Sequence, residues 1–147
     1  MKGEMLKMKY KFLPHTADTM FEAHGKSLEE LFENSALATE EIMVNLSTIS
    51  REEEHQITLE SEHIEDLLYD FLSELLFIKD TEGLLFNKFE IIIIHKNKKY
   101  ELLAKCDGEK IDRDKHELND DAKAITKHEF SVEQKNNKWL AKVIVDI

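Results

Sequence analysis

Glycine, proline and cysteine are scarce in this chain of 147 residues, which contains four glycines, one proline and one cysteine. The single Cys106 excludes an intramolecular disulfide and a metal cluster built from several thiolates of one chain. No apolar run approaches the roughly 20 residues that a bilayer crossing requires, and residues 1–7 lack the apolar core of a secretory leader. We therefore expect a soluble, cytoplasmic protein with no membrane partner.

Positive charge is also in short supply. The chain has 20 lysine and arginine residues against 31 aspartate and glutamate residues, which gives a formal net charge of −11. Binding to a phosphate backbone needs clustered basic side chains, so we expect no direct binding to nucleic acid. Cations and basic protein surfaces are the more natural partners of such a chain.

Two segments have the apolar spacing of helices. Ser27 and Glu30 read as a capping box in front of a first helix over residues 28–44. Ser61 is the expected N-cap of a second helix, and Gly83 is its expected C-terminal stop. The apolar positions of this second helix follow the 3.6-residue period: Ile64, Leu67, Leu68, Phe71, Leu72, Leu75 and Leu76.

Alternating or β-branched runs predict strands, with polar hairpin connections at residues 96–99 and 134–138. The most apolar run is expected at the centre of a sheet, because such a run suits burial on both faces. The predicted strands cover residues 20–25, 55–60, 89–94 (the most apolar run), 100–105, 124–133 and 139–147. The predicted fold class is therefore α+β: a single domain whose mostly antiparallel sheet carries two helices packed on one face.

Carboxylates stand beside apolar runs near both ends of the chain. Asp18 precedes the first of these runs, and Asp146 ends the last one, with the terminal carboxylate of Ile147 one residue beyond. If the two ends lie side by side, three anionic groups converge on a small volume, which suits a hard divalent cation with water completing its shell. The alternative is that both aspartates are ordinary solvated strand ends, as most acidic residues are.

Other metal patterns are weaker. His15, His116 and His128 are widely separated and lack thiolate partners, so a zinc site is less well supported than three hydrogen-bonded structural histidines, and His15 could orient the loop after Pro14. Residues 112–117 begin like a calcium loop, but Glu117 stands where that loop needs glycine. A solvated charged loop is the better interpretation there.

Several separate motifs, in this order, resemble the archease family. They are PHTAD (14–18), GKSLEELF (25–32), LSELLF (72–77), HEL (116–118), KAITKH (123–128) and VIVDI (143–147). The resemblance covers residues 8–147 as one archease-like domain and leaves residues 1–7 as an N-terminal extension. This chain departs from the family at Lys127, where tyrosine is common, and at Asp121-Ala122, where a Glu-Val pair is common.

The resemblance implies a strand-helix-strand-strand type of fold and a non-catalytic accessory protein of tRNA splicing. Archeases activate the GTP-dependent RNA ligase that joins tRNA exon halves, by promoting guanylylation of the ligase and its multiple turnover. The resemblance also implies a divalent cation, calcium or another such as magnesium, held by Asp18, Asp146 and Ile147. Two alternatives stay open: a general protein chaperone or modulator of nucleic-acid enzymes, and a metal-dependent hydrolase or nuclease.

Overall fold

The computed structural model describes residues 9–14 and 18–147 of the chain. In this part of the chain, a short 3₁₀ turn over Leu46–Thr48 accompanies seven strands and two α-helices. The elements in chain order are β1 (Tyr10–Leu13), β2 (Thr19–Gly25), α1 (Leu28–Met43), β3 (Glu53–Ser61), α2 (Ile64–Glu82), β4 (Leu84–Lys96), β5 (Lys99–Lys110), β6 (Ala124–Lys135) and β7 (Lys138–Asp146).

The strands form two antiparallel sheets. One is four-stranded with the order β1-β2-β7-β6, and the other is three-stranded with the order β3-β5-β4. Helix α1 packs against β2 and β4, and α2 packs against β6 and β3, so each helix contacts both sheets. The expected α+β fold with antiparallel strands and two helices is confirmed, and the strands divide between two sheets where the sequence predicted one.

The expectation that residues 89–94 occupy the centre of a sheet was wrong. Strand β4 is an edge strand, and β5 is the central strand of its sheet. Two of the apolar side chains in β4, Ile92 and Ile94, are more than half exposed. Its free edge is partly capped by helix α1 instead of a further strand: Ile93 N–H donates to Glu29 Oε2 at 3.4 Å, and Phe86 N–H donates to Glu40 Oε1 at 3.2 Å.

The first helix begins as the capping box predicts, because Ser27 Oγ accepts from Glu30 N–H at 3.1 Å. The second helix begins two residues later than expected. Its N-cap is His63, which makes no side-chain cap, because Ser61 still pairs with Tyr100 in the β3–β5 ladder. Gly83 ends this helix as predicted, with a left-handed φ of 67° that glycine adopts without steric cost.

Both hairpins turn more tightly than the sequence suggested. Asn97 and Lys98 form a two-residue turn between β4 and β5, and Asn136 and Asn137 do the same between β6 and β7, all four with positive φ. Positive φ at both central positions matches the right-handed twist of the flanking strands. None of the described helices is long and apolar enough to span a membrane.

An acidic side chain lies inside the core that the helices and sheets enclose. Glu40 on α1 is completely buried, and its Oε2 has no hydrogen-bond partner. Burial raises the pKa of this carboxyl group to about 8, although the Phe86 N–H and the positive charge of Lys79 act in the opposite direction. Glu40 is therefore protonated in the folded protein at neutral pH, when an exposed glutamate is ionised.

This burial makes stability depend on pH. Because the folded state holds the Glu40 proton more tightly than the unfolded chain, its stabilising contribution is complete below pH 4.5 and is lost as pH rises towards 8. The slope is at most about 1.4 kcal/mol per pH unit for one proton. Urea unfolding between pH 5 and 9 should show that the free energy of unfolding of the Glu40→Gln variant rises relative to that of the native chain as pH rises. Parallel stability curves for the two proteins would contradict a buried, neutral Glu40.

Candidate metal centre

The sheet register brings Asp18 beside Asp146. Strands β2 and β7 are antiparallel, with Thr19 opposite Val145 at the end of their ladder. Asp18, in the bend that precedes β2, and Asp146, the last residue of β7, flank this final pair. Both aspartates are half-buried. The two residues that the sequence analysis paired thus adjoin the same end of the ladder, while their role as metal ligands stays a prediction.

The other side of β7 is paired up to its last residue. Ala124 on β6 lies opposite Asp146, and Lys123 N–H donates to the Asp146 carbonyl oxygen at 2.7 Å. The side chain of Ile147 packs against the hydrophobic core. The main chain that ends in the terminal carboxylate is therefore held in place, one residue beyond Asp146.

A loop anchored on α1 leads the chain into β6. Asn119 N–H donates to the Met43 carbonyl at 2.8 Å, and Asp120 N–H donates to the Ile42 carbonyl at 3.1 Å. These carbonyls belong to the last turn of α1, where no intrahelical donor is available. The loop therefore caps the helix while it positions the start of β6 beside Asp146.

The same loop is tied to the last turn of α2 by a buried lysine. Lys79 Nζ lies 2.5 Å from Asp121 Oδ1 and 2.6 Å from Asp80 Oδ1, and it donates to the Ala122 carbonyl at 3.1 Å. Burial lowers the pKa of Lys79, but the hydrogen bonds to Asp121 and Asp80 outweigh it and raise the pKa above its usual value. Lys79 is charged, and it anchors the segment that leads to Lys123.

The surroundings of the paired aspartates are acidic. Within residues 9–14 and 18–147, no basic side chain lies within 4 Å of the Asp18 or Asp146 carboxylate. A surface groove of about 460 Å³ begins at Thr19, next to Asp18, and it is lined by Glu41 and Asp120 but by no lysine or arginine. An unneutralised pair of carboxylates in such a setting attracts cations.

The donor set suits a hard cation. Carboxylate oxygens are the ligands that calcium and magnesium prefer, and calcium takes about six to eight of them together with water. Among the described residues, no cluster of three or more His, Cys, Asp or Glu side chains could hold a metal ion. The proposed set has only two such side chains, and its third anionic group is the main-chain terminus of Ile147.

The sequence of this chain is similar to those of known proteins. Residues 10–147 match the model of the Archease protein family (MTH1598/TM1083). The chain belongs to the archease family. It is 43% identical over 134 residues to the protein archease of Pyrococcus abyssi, covering 90% of this chain and 94% of that protein. It is 41% identical over 138 residues to the archease of Methanothermobacter thermautotrophicus, covering 94% and 98%.

Solved structures agree with the fold. The solution structure of Methanobacterium thermoautotrophicum protein 1598 matches with a TM-score of 0.85 and 41% identity, covering 95% of this chain and 99% of that one. The crystal structure of a Thermotoga maritima protein, described as an archease and possible chaperone, matches with a TM-score of 0.61 over 93% and 96% of the two chains. At 24% identity, this second likeness concerns the fold alone.

Among the described residues, the histidines do not come together as a zinc site. His15 lies outside those residues, so its predicted role in the PHTAD loop stays a prediction. His116 is buried, and its Nδ1 accepts from Asp112 N–H at 2.9 Å, which fixes the loop at residues 112–116. His128 is exposed on the irregular part of β6, 3.7 Å from its neighbour Glu129.

The sequence analysis missed a compact ionic cluster beneath that loop. Glu109 accepts from Lys115 Nζ at 2.7 and 2.8 Å and from Ser50 N–H, and His116 Nε2 lies 3.1 Å away. Burial opposes ionisation of Glu109, yet the hydrogen bonds from Lys115 and Ser50 outweigh it and lower its pKa to about 2. The cluster joins β5 to the segment before β3. Lys115 and His116 lie close to Glu109 in sequence, but Ser50 lies 59 residues away, so no local sequence pattern indicates the cluster.

Both departures from the family pattern have structural partners. Asp121, in the place of a common glutamate, binds Lys79, and the adjacent Ala122 is buried. Lys127, in the place of a common tyrosine, holds its ammonium 4.8 Å from the ring centre of Tyr69. Neither position is among the proposed ligands, so the ligand set is unaffected.

Replacing Lys79 by methionine should destabilise the fold. The change leaves the Ala122 carbonyl without its donor, and a buried unpaired polar group costs about 1–3 kcal/mol. The matched control is Lys127→Met, which removes a surface cation–π contact worth about 0.5–1 kcal/mol. Chemical denaturation measures both. Equal losses in the two variants would show that Lys79 does not anchor the loop.

Proposed function

We propose that this archease activates a GTP-dependent tRNA-splicing RNA ligase in the cytoplasm, through a divalent cation held where the two ends of the chain meet. The protein promotes guanylylation and repeated turnover of the ligase, and it carries out no covalent step itself. Membership of the archease family supports the accessory role, and the register of β2 against β7 supports a site near the end of this ladder. The observation that carries the proposal is the end of the β2–β7 ladder at Thr19 and Val145, the residues adjacent to Asp18 and Asp146.

The physical role of the site is charge compensation. The chain carries a formal charge of −11, so its surface repels the phosphates of a nucleotide-binding active site. A divalent cation supplies positive charge and free coordination positions that phosphate or ligase oxygens can occupy. Asp18 and Asp146 bind the ion from adjacent strands, and the Ile147 carboxylate adds the third anionic group.

The fold supports this role by fixing the ligands in advance. Asp146 follows Val145, the last residue paired with β2, and it is held on the β6 side by its pairing with Ala124 and by Lys123 N–H. The loop before β6 is in turn anchored on α1 and on Lys79 of α2. A preorganised ligand set binds its ion without first ordering flexible chain.

Metal binding by the isolated protein is the first test. Asp18→Asn and Asp146→Asn each remove one negative charge from the site without a change in side-chain size. We expect each substitution to weaken calcium binding at least tenfold in isothermal titration calorimetry, because charge count sets affinity for hard cations. Glu22→Gln is the matched control on β2, since Glu22 is already paired with Lys11 at 3.5 Å. An unaltered calcium affinity in the Asp18→Asn variant would contradict the proposed metal site.

Ligase turnover is the second test. An extension of a few residues after Ile147 moves the terminal carboxylate away while leaving every side chain in place. We expect the extended protein to lose stimulation of multiple-turnover ligation by the cognate ligase, and to keep the thermal unfolding midpoint of the native chain. Full stimulation by the extended protein would contradict a ligand role for the terminus.

Two control reactions separate the alternatives. A general chaperone would stimulate unrelated enzymes and would be indifferent to substitution of Asp146. A metal-dependent nuclease would cleave RNA in the presence of the ion without any ligase. The proposed function requires stimulation of the ligase alone and intact RNA in its absence.

A further inference from the structure

The outer face of the three-stranded sheet has an apolar centre. Among the described residues, five large apolar side chains are exposed, and three of them lie on this face: Ile92 (55% exposed), Ile94 (51%) and Leu103 (43%). Ile92 and Leu103 are direct partners in the β4–β5 ladder, and Thr58 on β3 completes the row across the sheet. The opposite face of the same sheet, with Leu102 and Ala104, is buried.

The charges around this centre are nearly balanced. By the register of the strands, the outer face carries five carboxylates and four lysines, a formal charge of −1 on a protein of charge −11. The carboxylates are Glu54, Glu60, Glu90, Glu101 and Asp107. The lysines are Lys88, Lys96, Lys99 and Lys105. This face is therefore one where a second copy of the acidic chain meets little electrostatic repulsion.

Several of these charges already form pairs. Lys105 lies 3.4 Å from both Glu54 and Glu90, so it links all three strands, and Lys99 lies 3.6 Å from Glu60. The hydrogen bond that Lys105 donates to Glu54 is the main reason that the pKa of Lys105 is raised. Such exposed pairs add little stability on their own. Their effect here is to leave a face without a strong field of either sign.

The central strand carries a self-complementary pattern. The outward side chains of β5 are, in order, Lys99, Glu101, Leu103, Lys105 and Asp107. Glu101 and Lys105 lie at equal distances on either side of Leu103 and carry opposite charges. The same holds for Lys99 and Asp107, which lie further out. When a second copy of β5 is turned end for end above the first, every lysine faces a carboxylate and Leu103 faces its own equivalent.

We propose that this outer face, defined by the outward side chains of β3, β4 and β5, pairs with the same face of a second copy of the chain. The two-fold axis crosses the strands above Leu103, so that Glu101 faces Lys105 and Lys99 faces Asp107 of the other copy. Two antiparallel sheets then pack face to face, as in a β-sandwich with its layers about 10 Å apart. Such a two-fold contact is isologous, and it closes at a dimer.

The size of the face fits a reversible dimer. The three strands contain 9, 13 and 12 residues. At about 3.3 Å per residue and 4.8 Å between strands they give a footprint of about 540 Å² per copy, against the roughly 800 Å² per partner of a standard stable interface. We therefore expect dissociation in the micromolar range or weaker, so that the state of the protein depends on its concentration.

Sedimentation equilibrium over a range of concentrations tests the pairing with charge-reversal variants. Glu101→Lys places two like-charged contacts in the dimer and should raise its dissociation constant at least tenfold. The double variant Glu101→Lys with Lys105→Glu restores complementarity and should recover dimerisation. A mixture of the two single variants should form a heterodimer, because its opposed charges again match.

Two further variants make the test decisive. Replacing Ile92 and Leu103 by threonine keeps β-strand propensity and removes the apolar centre, so dimerisation should be lost. The control is Phe77→Thr on α2, where the side chain is 61% exposed, and this change should leave dimerisation unchanged. Thermal unfolding confirms that each variant is folded. A native chain that stays monomeric at all concentrations, or a dimer indifferent to Glu101→Lys, overturns the proposal. If the chain is monomeric but the threonine variant fails to stimulate the ligase, the face belongs to a different protein and self-pairing is equally overturned.

Discussion

The antiparallel ladder between β2 and β7 is the constraint on which the proposed site depends. It joins residues that are 114 to 126 positions apart, from Gly25 opposite Trp139 to Thr19 opposite Val145. Closing so long a loop costs conformational entropy before any contact forms. Burial of Phe21, among the largest fully enclosed side chains, helps to offset that cost. A shift of one residue in this register would turn every side chain of one strand to the other face and would separate the paired aspartates.

The two sheets have different tasks in this account. The four-stranded sheet carries the half-buried Asp18 and Asp146 at the end of its β2–β7 ladder, which is the proposed cation site. The three-stranded sheet carries a balanced and partly apolar outer face on the same acidic body. Helices α1 and α2 contact both sheets, and the loop that caps α1 and is bound by Lys79 leads into β6 beside Asp146. One hydrophobic core thus supports both the proposed ion site and the proposed pairing face.

Local patterns identified the helices because capping and periodicity are properties of neighbouring residues. The Ser27 cap and the Gly83 stop are examples, and both involve groups within four residues of each other. The position of β4 was not visible in the same way. Consecutive isoleucines suggest burial on both faces, yet Ile92 and Ile94 face outwards, because no element of the described part of the chain covers them, and no local pattern specifies such a covering layer.

The site was predictable only in part for the same reason. The sequence marks Asp18 and Asp146 as strand-end carboxylates, but their adjacency depends on a register that forms across almost the whole chain. Glu40 and Glu109 were invisible because their backbone partners lie 46 and 59 residues away. The resemblance to a family supplied the ligand set, which residue types and spacing alone left open against ordinary solvated carboxylates.

Paramagnetic relaxation by manganese, measured on the backbone amides by NMR, tests the central claim most directly. A divalent ion held between the chain ends should broaden first the amide signals of Thr19, Lys123 and Ile147, which approach from three different segments. The amides of the three-stranded sheet should stay sharp at the same ion concentration. Broadening centred on another part of the protein, or spread evenly over its acidic surface, would contradict a cation site at the joined termini.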